Sequence, residues 1–238
     1  MKFPRHSLLS GLIVFASALA APALVSAETI AVIGTGNVGG ALGPVFATLG
    51  HDIVYGSREP GRQDVQDLVA RTAGNASAAL PAAAAADADI VVIAVPWGGA
   101  ENAVMSLGDL SGTIILDPTN AVRRDANNIR YHNIETSTGE TIQGWAPNAM
   151  VVKAFNTLSS ETMANPSVAG GPVTIPIAGN DADAKAVVAD LVTGIGFDVV
   201  DMGLIGAAHA IEQMLIVRGN AGTYGAPFNY YFRPVPQN

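Results

Sequence analysis

Cysteine is absent from the 238-residue chain, which excludes disulfides, thiolate metal sites and cysteine nucleophiles. Charge is also scarce, because 13% of the residues are charged whereas 49% are hydrophobic. A chain of this composition can bury a substantial core and differs from disordered sequences, which are polar and highly charged. Lys and Arg number 12 against 20 Asp and Glu, so the sequence argues against an extended basic surface for nucleic acid.

The first 27 residues have the pattern of a secretory signal peptide. Lys2 and Arg5 precede an apolar run at 8–20, and small residues follow as far as Ala27. We expect cleavage after Ala27, which leaves 10 basic residues against 20 acidic ones and a formal charge of −10. The mature protein is then expected to be exported, periplasmic or secreted, with no membrane span. The alternative is an uncleaved anchor, because the segment is about long enough to cross a bilayer.

Residues 28–238 alternate between short apolar runs rich in β-branched residues and segments with helical spacing. The predicted strands lie at 29–33, 52–56, 90–95, 113–117, 150–154, 173–178 and 197–201. The predicted helices lie at 38–49, 64–72, 82–86, 100–107, 181–193 and 207–218. The polar stretch 123–147 has weak periodicity and is expected to wrap over the edge of the sheet. This alternation predicts an α/β fold, a Rossmann-type doubly wound and mostly parallel sheet with a small C-terminal helical portion.

A glycine-rich turn follows the first predicted strand. Its residues read G-x-G-x-x-G and are Gly34, Thr35, Gly36, Asn37, Val38 and Gly39. Glycines at these spacings permit a tight turn, a close approach of the backbone to a diphosphate and close packing of the next helix. The N-terminus of that helix offers free N–H groups to the phosphates. Because the motif stands between a strand and a helix, it predicts a dinucleotide site.

The end of the second predicted strand indicates which dinucleotide binds. NAD sites usually have an acid there that accepts hydrogen bonds from the ribose, whereas the 2′-phosphate of NADP requires a cation. This strand leads to Ser57 and Arg58, and Arg62 follows, which favours NADP(H). The alternative is that both arginines are surface cations paired with Glu59 or Asp64.

Five motifs in the same order resemble the NADPH-dependent F420 reductase family and the cytosolic reductase domain of the STEAP metalloreductases. They lie at residues 33–39, 48–58, 95–97, 117–120 and 151–157. The resemblance implies a Rossmann-type domain for NADP(H), with a C-terminal portion that completes the acceptor site and often forms a homodimer interface. It also implies that residues 35–38 hold the diphosphate, and that the 2′-phosphate is bound by Ser57, Arg58 and Arg62. Val95 and Pro96 would pack against the nicotinamide, and Asn156 would lie close to the acceptor ring.

The reaction that this resemblance implies is hydride transfer between NADP(H) and a flavin or deazaflavin of the coenzyme F420 type. Such a transfer requires stacked rings and exclusion of water but no nucleophile. We therefore predict a small-molecule redox acceptor, no catalytic side chain and no metal. Two alternatives remain open: NADPH-dependent reduction of a small carbonyl or imine, and an exported domain that binds a nucleotide without turnover.

Four other residues have a structural interpretation that we prefer to a catalytic one. His132 lies in an irregular polar stretch and is expected at the surface, and His51 is expected to be a cap or surface residue. Lys153 lies in a predicted strand, unlike the helical catalytic lysine of hydroxyacid dehydrogenases. Trp97, beside a proline at a strand end, could stack on a ring or serve in packing.

Overall fold

Short apolar runs become strands and the segments between them become helices over residues 27–235, the part of the chain that the computed structural model describes. The strands are β1 (Thr29–Ile33), β2 (Asp52–Gly56), β3 (Ala76–Ala79), β4 (Ile90–Ile93), β5 (Ile114–Asp117), β6 (Val122–Arg124), β7 (Arg130–His132), β8 (Met150–Lys153), β9 (Thr174–Gly179) and β10 (Asp198–Asp201). The α-helices are α1 (Gly39–Thr48), α2 (Gln63–Arg71), α3 (Pro81–Ala85), α4 (Ala100–Met105), α5 (Thr138–Trp145), α6 (Ser160–Ala164), α7 (Ala182–Gly194) and α8 (Ala208–Thr223).

Eight strands form one sheet in the order β10-β9-β8-β5-β4-β1-β2-β3, and β6 pairs with β7 in a separate antiparallel hairpin. Within the sheet every neighbouring pair is parallel except β8 and β9. The strand order reverses between β1 and β4, since β2 and β3 lie on one side of β1 while β4, β5 and β8 lie on the other. Such a reversal opens a crevice at the carboxyl ends of the strands, where ligands bind.

Helices cover both faces of the sheet, because side chains alternate between the faces along each strand. Leu42 and Phe46 of α1 pack with Val188 of α7 over one face. Val104 of α4 and Ile142 of α5 pack over the other face. Each of these side chains is at most 3% exposed, and burial of one large aliphatic or aromatic side chain stabilises a fold by about 1.5–3 kcal/mol. The predicted Rossmann-type sheet is therefore confirmed.

The eight-stranded sheet contains one strand that the sequence did not indicate. β3 has the sequence Ala-Ser-Ala-Ala and pairs with β2 at the edge of the sheet. Alanine is depleted in strands, so its strand conformation here depends on the hydrogen bonds that β2 offers. The predicted strands and helices otherwise appear with shifts of one or two residues at most ends, and α8 continues to Thr223 rather than ending at Arg218.

The expectation that 123–147 wraps over the sheet edge is wrong. This segment forms most of the β6–β7 hairpin and all of α5, and it connects the neighbouring parallel strands β5 and β8 across one face of the sheet. A local signal for α5 was present, because Ser137 accepts a hydrogen bond from the Glu140 N–H while the Glu140 carboxylate accepts one from the Ser137 N–H. This reciprocal capping box marks a helix start.

The predicted signal peptide lies outside the described residues except for Ala27. Within residues 27–235, no helix has both the length and the apolar character needed to cross a bilayer.

Candidate cofactor and acceptor site

The glycine-rich turn connects β1 to α1 at the carboxyl edge of the sheet. Gly34 has a φ of 105°, in the left-handed region that favours glycine, and its N–H donates to the Gly56 carbonyl at 3.0 Å. A Cβ placed on Gly36 would meet nothing within 4 Å, so the turn is open on its outer side. The N-terminus of α1 has no side-chain cap and no acid in its first turn. Free N–H groups and the helix dipole there suit a diphosphate.

A first cleft of about 400 Å³ extends from this turn to the end of β2. Ser57, Arg58 and Arg62 all line it, as does Glu59. Arg58 takes part in none of the ion pairs found among residues 27–235. Its guanidinium is therefore available to an anion in this cleft.

Arg62 is already paired, which is the alternative that the sequence left open. Its Nε lies 2.5 Å from Asp64 Oδ1, with both side chains exposed, and hydrogen bonding to Arg62 lowers the pKa of the Asp64 carboxyl. Ser57 is buried, and its Oγ accepts a hydrogen bond from the Glu59 N–H at 3.2 Å. Arg58 is thus the cation at this strand end that makes no competing ion pair.

A second cleft, of about 470 Å³, lies on the other side of the glycine-rich turn. The strand ends contribute Val95, Pro96, Trp97 and Asn120, while the hairpin and α8 contribute Val122, Arg130 and Leu215. Val95 and Pro96 line both clefts, so an extended ligand can pass from one to the other. Within the described part of the chain, no His, Asp, Glu, Lys or Tyr side chain lines this second cleft.

Trp97 has a packing role in this structure. Its ring stacks on Trp145 of α5, with the ring centroids 5.3 Å apart and the planes inclined by 18°. Because Trp97 also lines the second cleft, the stacked pair fixes one wall of that cleft.

Asn156 lies behind the second cleft rather than in its wall. It is 2% exposed, and its Nδ2 donates to Asn120 Oδ1 at 3.0 Å. Asn120 in turn donates to the Asn156 carbonyl, also at 3.0 Å, and it is Asn120 that lines the cleft. The Asn156 side chain thus positions Asn120.

Phe155, the residue before Asn156, has a φ of 62° with its side chain fully buried. This backbone conformation is uncommon and strained for a bulky residue.

A buried charge cluster lies beneath the second cleft, and no local sequence pattern indicates it. Lys153 Nζ lies 2.6 Å from Asp117 Oδ2 and 2.9 Å from Glu212 Oε1, and all three side chains have no exposed surface. Nζ also donates to the Thr119 carbonyl at 2.9 Å. This ammonium therefore joins β8, β5 and α8, consistent with a structural role for Lys153.

His132 belongs to the same cluster, so the expectation of a surface position is wrong. Its side chain is 3% exposed, its Nε2 lies 2.6 Å from Glu212 Oε2, and its Nδ1 lies 2.9 Å from the Ile134 carbonyl. Both ring nitrogens are within hydrogen-bond distance of oxygen atoms, so the ring links the hairpin to α8.

His51 is also buried, so of the two expected roles the surface position is wrong. It is 3% exposed, and its Nδ1 accepts a hydrogen bond from the Glu28 N–H at 3.1 Å. Burial lowers the pKa of this imidazole. His51 lies at the amino end of β2, at the opposite edge of the sheet from both clefts.

Residues 27–235 contain no group of three His, Asp or Glu side chains that could hold a metal ion.

The fold and the clefts define a dinucleotide-binding protein of the Rossmann type. The family model for NADP oxidoreductases that are coenzyme F420-dependent matches residues 29–121, from β1 through the strand ends that line both clefts. A solved protein from Arthrobacter sp. FB24, provisionally named an F420-dependent NADP-reductase, is 34% identical with a TM-score of 0.79. The match covers 87% of this chain and 100% of that one. The chain belongs to this family of NADP-dependent oxidoreductases.

Two more distant similarities bear on the fold. Metalloreductase STEAP3 of Rattus norvegicus is 27% identical over 194 residues, which are 79% of this chain but 36% of that protein. The chain thus spans about a third of the length of this curated relative. A reductive aminase from Aspergillus terreus, solved with NADPH and ethyl-5-oxohexanoate, is 18% identical with a TM-score of 0.59, covering 84% of this chain and 62% of that one. At this identity the likeness concerns the fold alone.

Proposed function

We propose that the protein transfers a hydride between NADP(H) and a flavin or deazaflavin of the coenzyme F420 type. The observation that carries the proposal is the second cleft, which joins the glycine-rich turn but has no acid–base side chain in its described wall. Hydride transfer between stacked rings needs orientation and exclusion of water, whereas reduction of a carbonyl or imine also needs a proton donor close to the substrate. The cleft therefore favours a ring acceptor.

In this proposal the residues of the chain bind and orient the two rings. Residues Gly34 to Gly39 hold the diphosphate through backbone N–H groups, and Ser57 with Arg58 binds the 2′-phosphate in the first cleft. Val95 and Pro96, which line both clefts, support one face of the nicotinamide. Asn120, held by Asn156, contributes a polar group to the acceptor side. Arg62 lies close enough to assist, once its pair with Asp64 opens.

The proposal is tested by anaerobic oxidation of NADPH by the purified chain with four kinds of acceptor: a flavin, coenzyme F420, a small ketone and a cyclic imine. We expect turnover with the flavin or the deazaflavin and little with the ketone or imine. Turnover with only the ketone or the imine would replace the proposal with the reductase alternative. NADPH binding by fluorescence without turnover of any acceptor would favour a non-catalytic nucleotide-binding domain.

We also propose that the protein is exported, on the basis of the pattern in residues 1–27. The test is fractionation of the native cells followed by sequencing of the amino terminus. The expected product is a periplasmic or secreted chain that begins at Glu28. Recovery of the chain in the cytoplasm with its leader intact would contradict this.

A further inference from the structure

Three arginines gather at the outer end of the second cleft without an acidic partner. Arg124 and Arg130 are directly opposite each other on β6 and β7, and Arg218 lies on α8, three residues after the cleft residue Leu215. None of the ion pairs within residues 27–235 includes any of these three. This is unexpected in a chain whose acids outnumber its bases by 20 to 12.

The register of the hairpin directs two of these arginines to the cleft side. Val122 and Arg130 both line the cleft, and residues two apart on a strand share a face, as do directly opposite residues of an antiparallel pair. Arg124 therefore shares the face of Val122 and Arg130. Arg123 points to the other face and is exposed with its cross-strand partner Tyr131. Residues three apart on a helix are also neighbours, which places Arg218 beside Leu215.

Like charges directly opposite each other destabilise a strand pair, and Arg124 and Arg130 are such a pair. Burial and the nearby charges of Arg124 and Arg218 lower the pKa of the Arg130 guanidinium. The nearest acid in the hairpin turn, Asp125, is already engaged, because its Oδ1 accepts hydrogen bonds from the Asn127 and Ile129 N–H groups. An unpaired cluster of this kind is relieved when an anion binds.

The structure also indicates where the guanidinium groups are free. Arg130 uses Nη1 for the Gly219 carbonyl and the Thr223 hydroxyl, and Arg124 uses Nη1 for Asn128 Oδ1 at 2.6 Å. Arg218 uses Nε for the Phe228 carbonyl at 2.9 Å and Nη2 for Asn229 Oδ1 at 3.3 Å. Their other nitrogens have no hydrogen-bond partner among the described residues. The phosphates of NADP already have their own proposed partners: the diphosphate has the backbone N–H groups of the glycine-rich turn, and the 2′-phosphate has Arg58 in the first cleft.

We infer that Arg124, Arg130 and Arg218 form an anion subsite for the acceptor, and that the acceptor carries a phosphate on the side chain of its flavin or deazaflavin ring. The inference rests on the proposed function. The ring occupies the cleft between Pro96 and Leu215, and the phosphate lies at the hairpin and α8. Guanidinium groups bind phosphate oxygens through strong charge-assisted hydrogen bonds.

The test compares acceptors with and without a phosphate, and in the pair FMN and riboflavin the phosphate is the only difference. Kinetics are measured with FMN and riboflavin, and with coenzyme F420 and its phosphate-free deazaflavin chromophore, for the wild type, Arg124→Gln and the control Arg123→Gln. For the wild type we expect kcat/KM to be roughly tenfold higher, or more, with the phosphorylated member of each pair. Arg124→Gln should reduce this ratio roughly three- to tenfold, because it removes a partly exposed charge-assisted contact. Arg123→Gln should leave the ratio unchanged, and neither variant should alter the KM for NADPH.

Quenching of flavin fluorescence by the NADP⁺-loaded protein provides a readout that needs no turnover. Tighter binding of FMN than of riboflavin, weakened in Arg124→Gln alone, supports the subsite even if hydride transfer is absent and the proposed function fails. Equal turnover and equal binding of FMN and riboflavin by the wild type would overturn the subsite while leaving the proposed function intact. An increase in the KM for NADPH in Arg124→Gln would also overturn it, because the arginines would then bind the dinucleotide.

Discussion

Lys153 and Asp117 form an ion pair with 2.6 Å between Nζ and Oδ2, and neither side chain has any exposed surface. The two residues end neighbouring parallel strands, where Asp117 is the register partner of Lys153. The same ammonium binds Glu212, whose second oxygen binds His132. The core strands, α8 and the hairpin are therefore connected through one buried set of charges, directly behind the wall of the second cleft.

Replacement of Lys153 by Met should destabilise the protein severely. It leaves the Asp117 and Glu212 carboxylates buried without their cation, and breaking a buried pair in this way costs about 3–5 kcal/mol. The matched control is Lys185→Met, because Lys185 pairs with Asp201, whose side chain is 52% exposed, and exposed pairs contribute about 0–1 kcal/mol. Urea unfolding measures both free energies. Equal losses in the two variants would show that the buried cluster has no special role in stability.

Alanine substitutions at two glycines of the turn should have different effects, one on stability and the other on NADPH binding. A Cβ on Gly39 would collide with the Gly34 carbonyl, so Gly39→Ala should lower the free energy of unfolding by about 1–3 kcal/mol or more. Gly36 has open space around it, so Gly36→Ala should fold normally but weaken NADPH binding by roughly tenfold, or about 1.4 kcal/mol. Thermal unfolding and fluorescence titration separate the two effects. Full NADPH affinity in Gly36→Ala would contradict a diphosphate at this turn.

Arg58 should determine the preference for NADPH over NADH. Arg58→Ala removes a charge-assisted contact to the 2′-phosphate, so the ratio of kcat/KM values for NADPH and NADH should fall roughly 10–100-fold. Arg62→Ala should have a smaller effect, because Arg62 is already paired with Asp64. An unchanged ratio in Arg58→Ala would show that the 2′-phosphate binds elsewhere.

His51 should make the protein less stable in mild acid. Burial lowers the pKa of the folded imidazole below its ordinary value of 6.5, so the unfolded chain takes up a proton first as the pH falls. The stability linked to His51 is fully present when the pH is above the ordinary pKa and declines as the pH falls below it. It changes no further once the pH is below the pKa of the folded protein.

This dependence is measured as the difference in Tm between the wild type and His51→Gln, from about pH 8 to about pH 5. The glutamine keeps an acceptor for the Glu28 N–H but does not titrate. The other histidines contribute to both proteins and cancel in the difference. If the difference in Tm stays constant across this range, the folded pKa of His51 is not lowered.

Local patterns account for much of the site. The glycine-rich turn, Ser57 and Arg58 were found from strand ends and spacing, whereas Val95 and Pro96 came from the family resemblance. The structure brings all of them to the two clefts. The sequence does not reveal that Asn156 is buried and hydrogen-bonded to the cleft residue Asn120. Arg130 and Leu215 were missed as cleft residues, since the hairpin and α8 reach the cleft only through tertiary packing.

The sequence by itself determined the alternation of buried strands and helices and the turn that suits a dinucleotide, because these depend on periodicity and on backbone freedom within a few residues. Only the tertiary structure decided which charges meet. Asp117, His132, Lys153 and Glu212 come from four separate segments, and Arg124 shares a face of the hairpin with the cleft residue Arg130 because the two are register partners. Desolvation and Coulomb interactions act through space, so the partners of these side chains depend on the packed fold rather than on their neighbours along the chain.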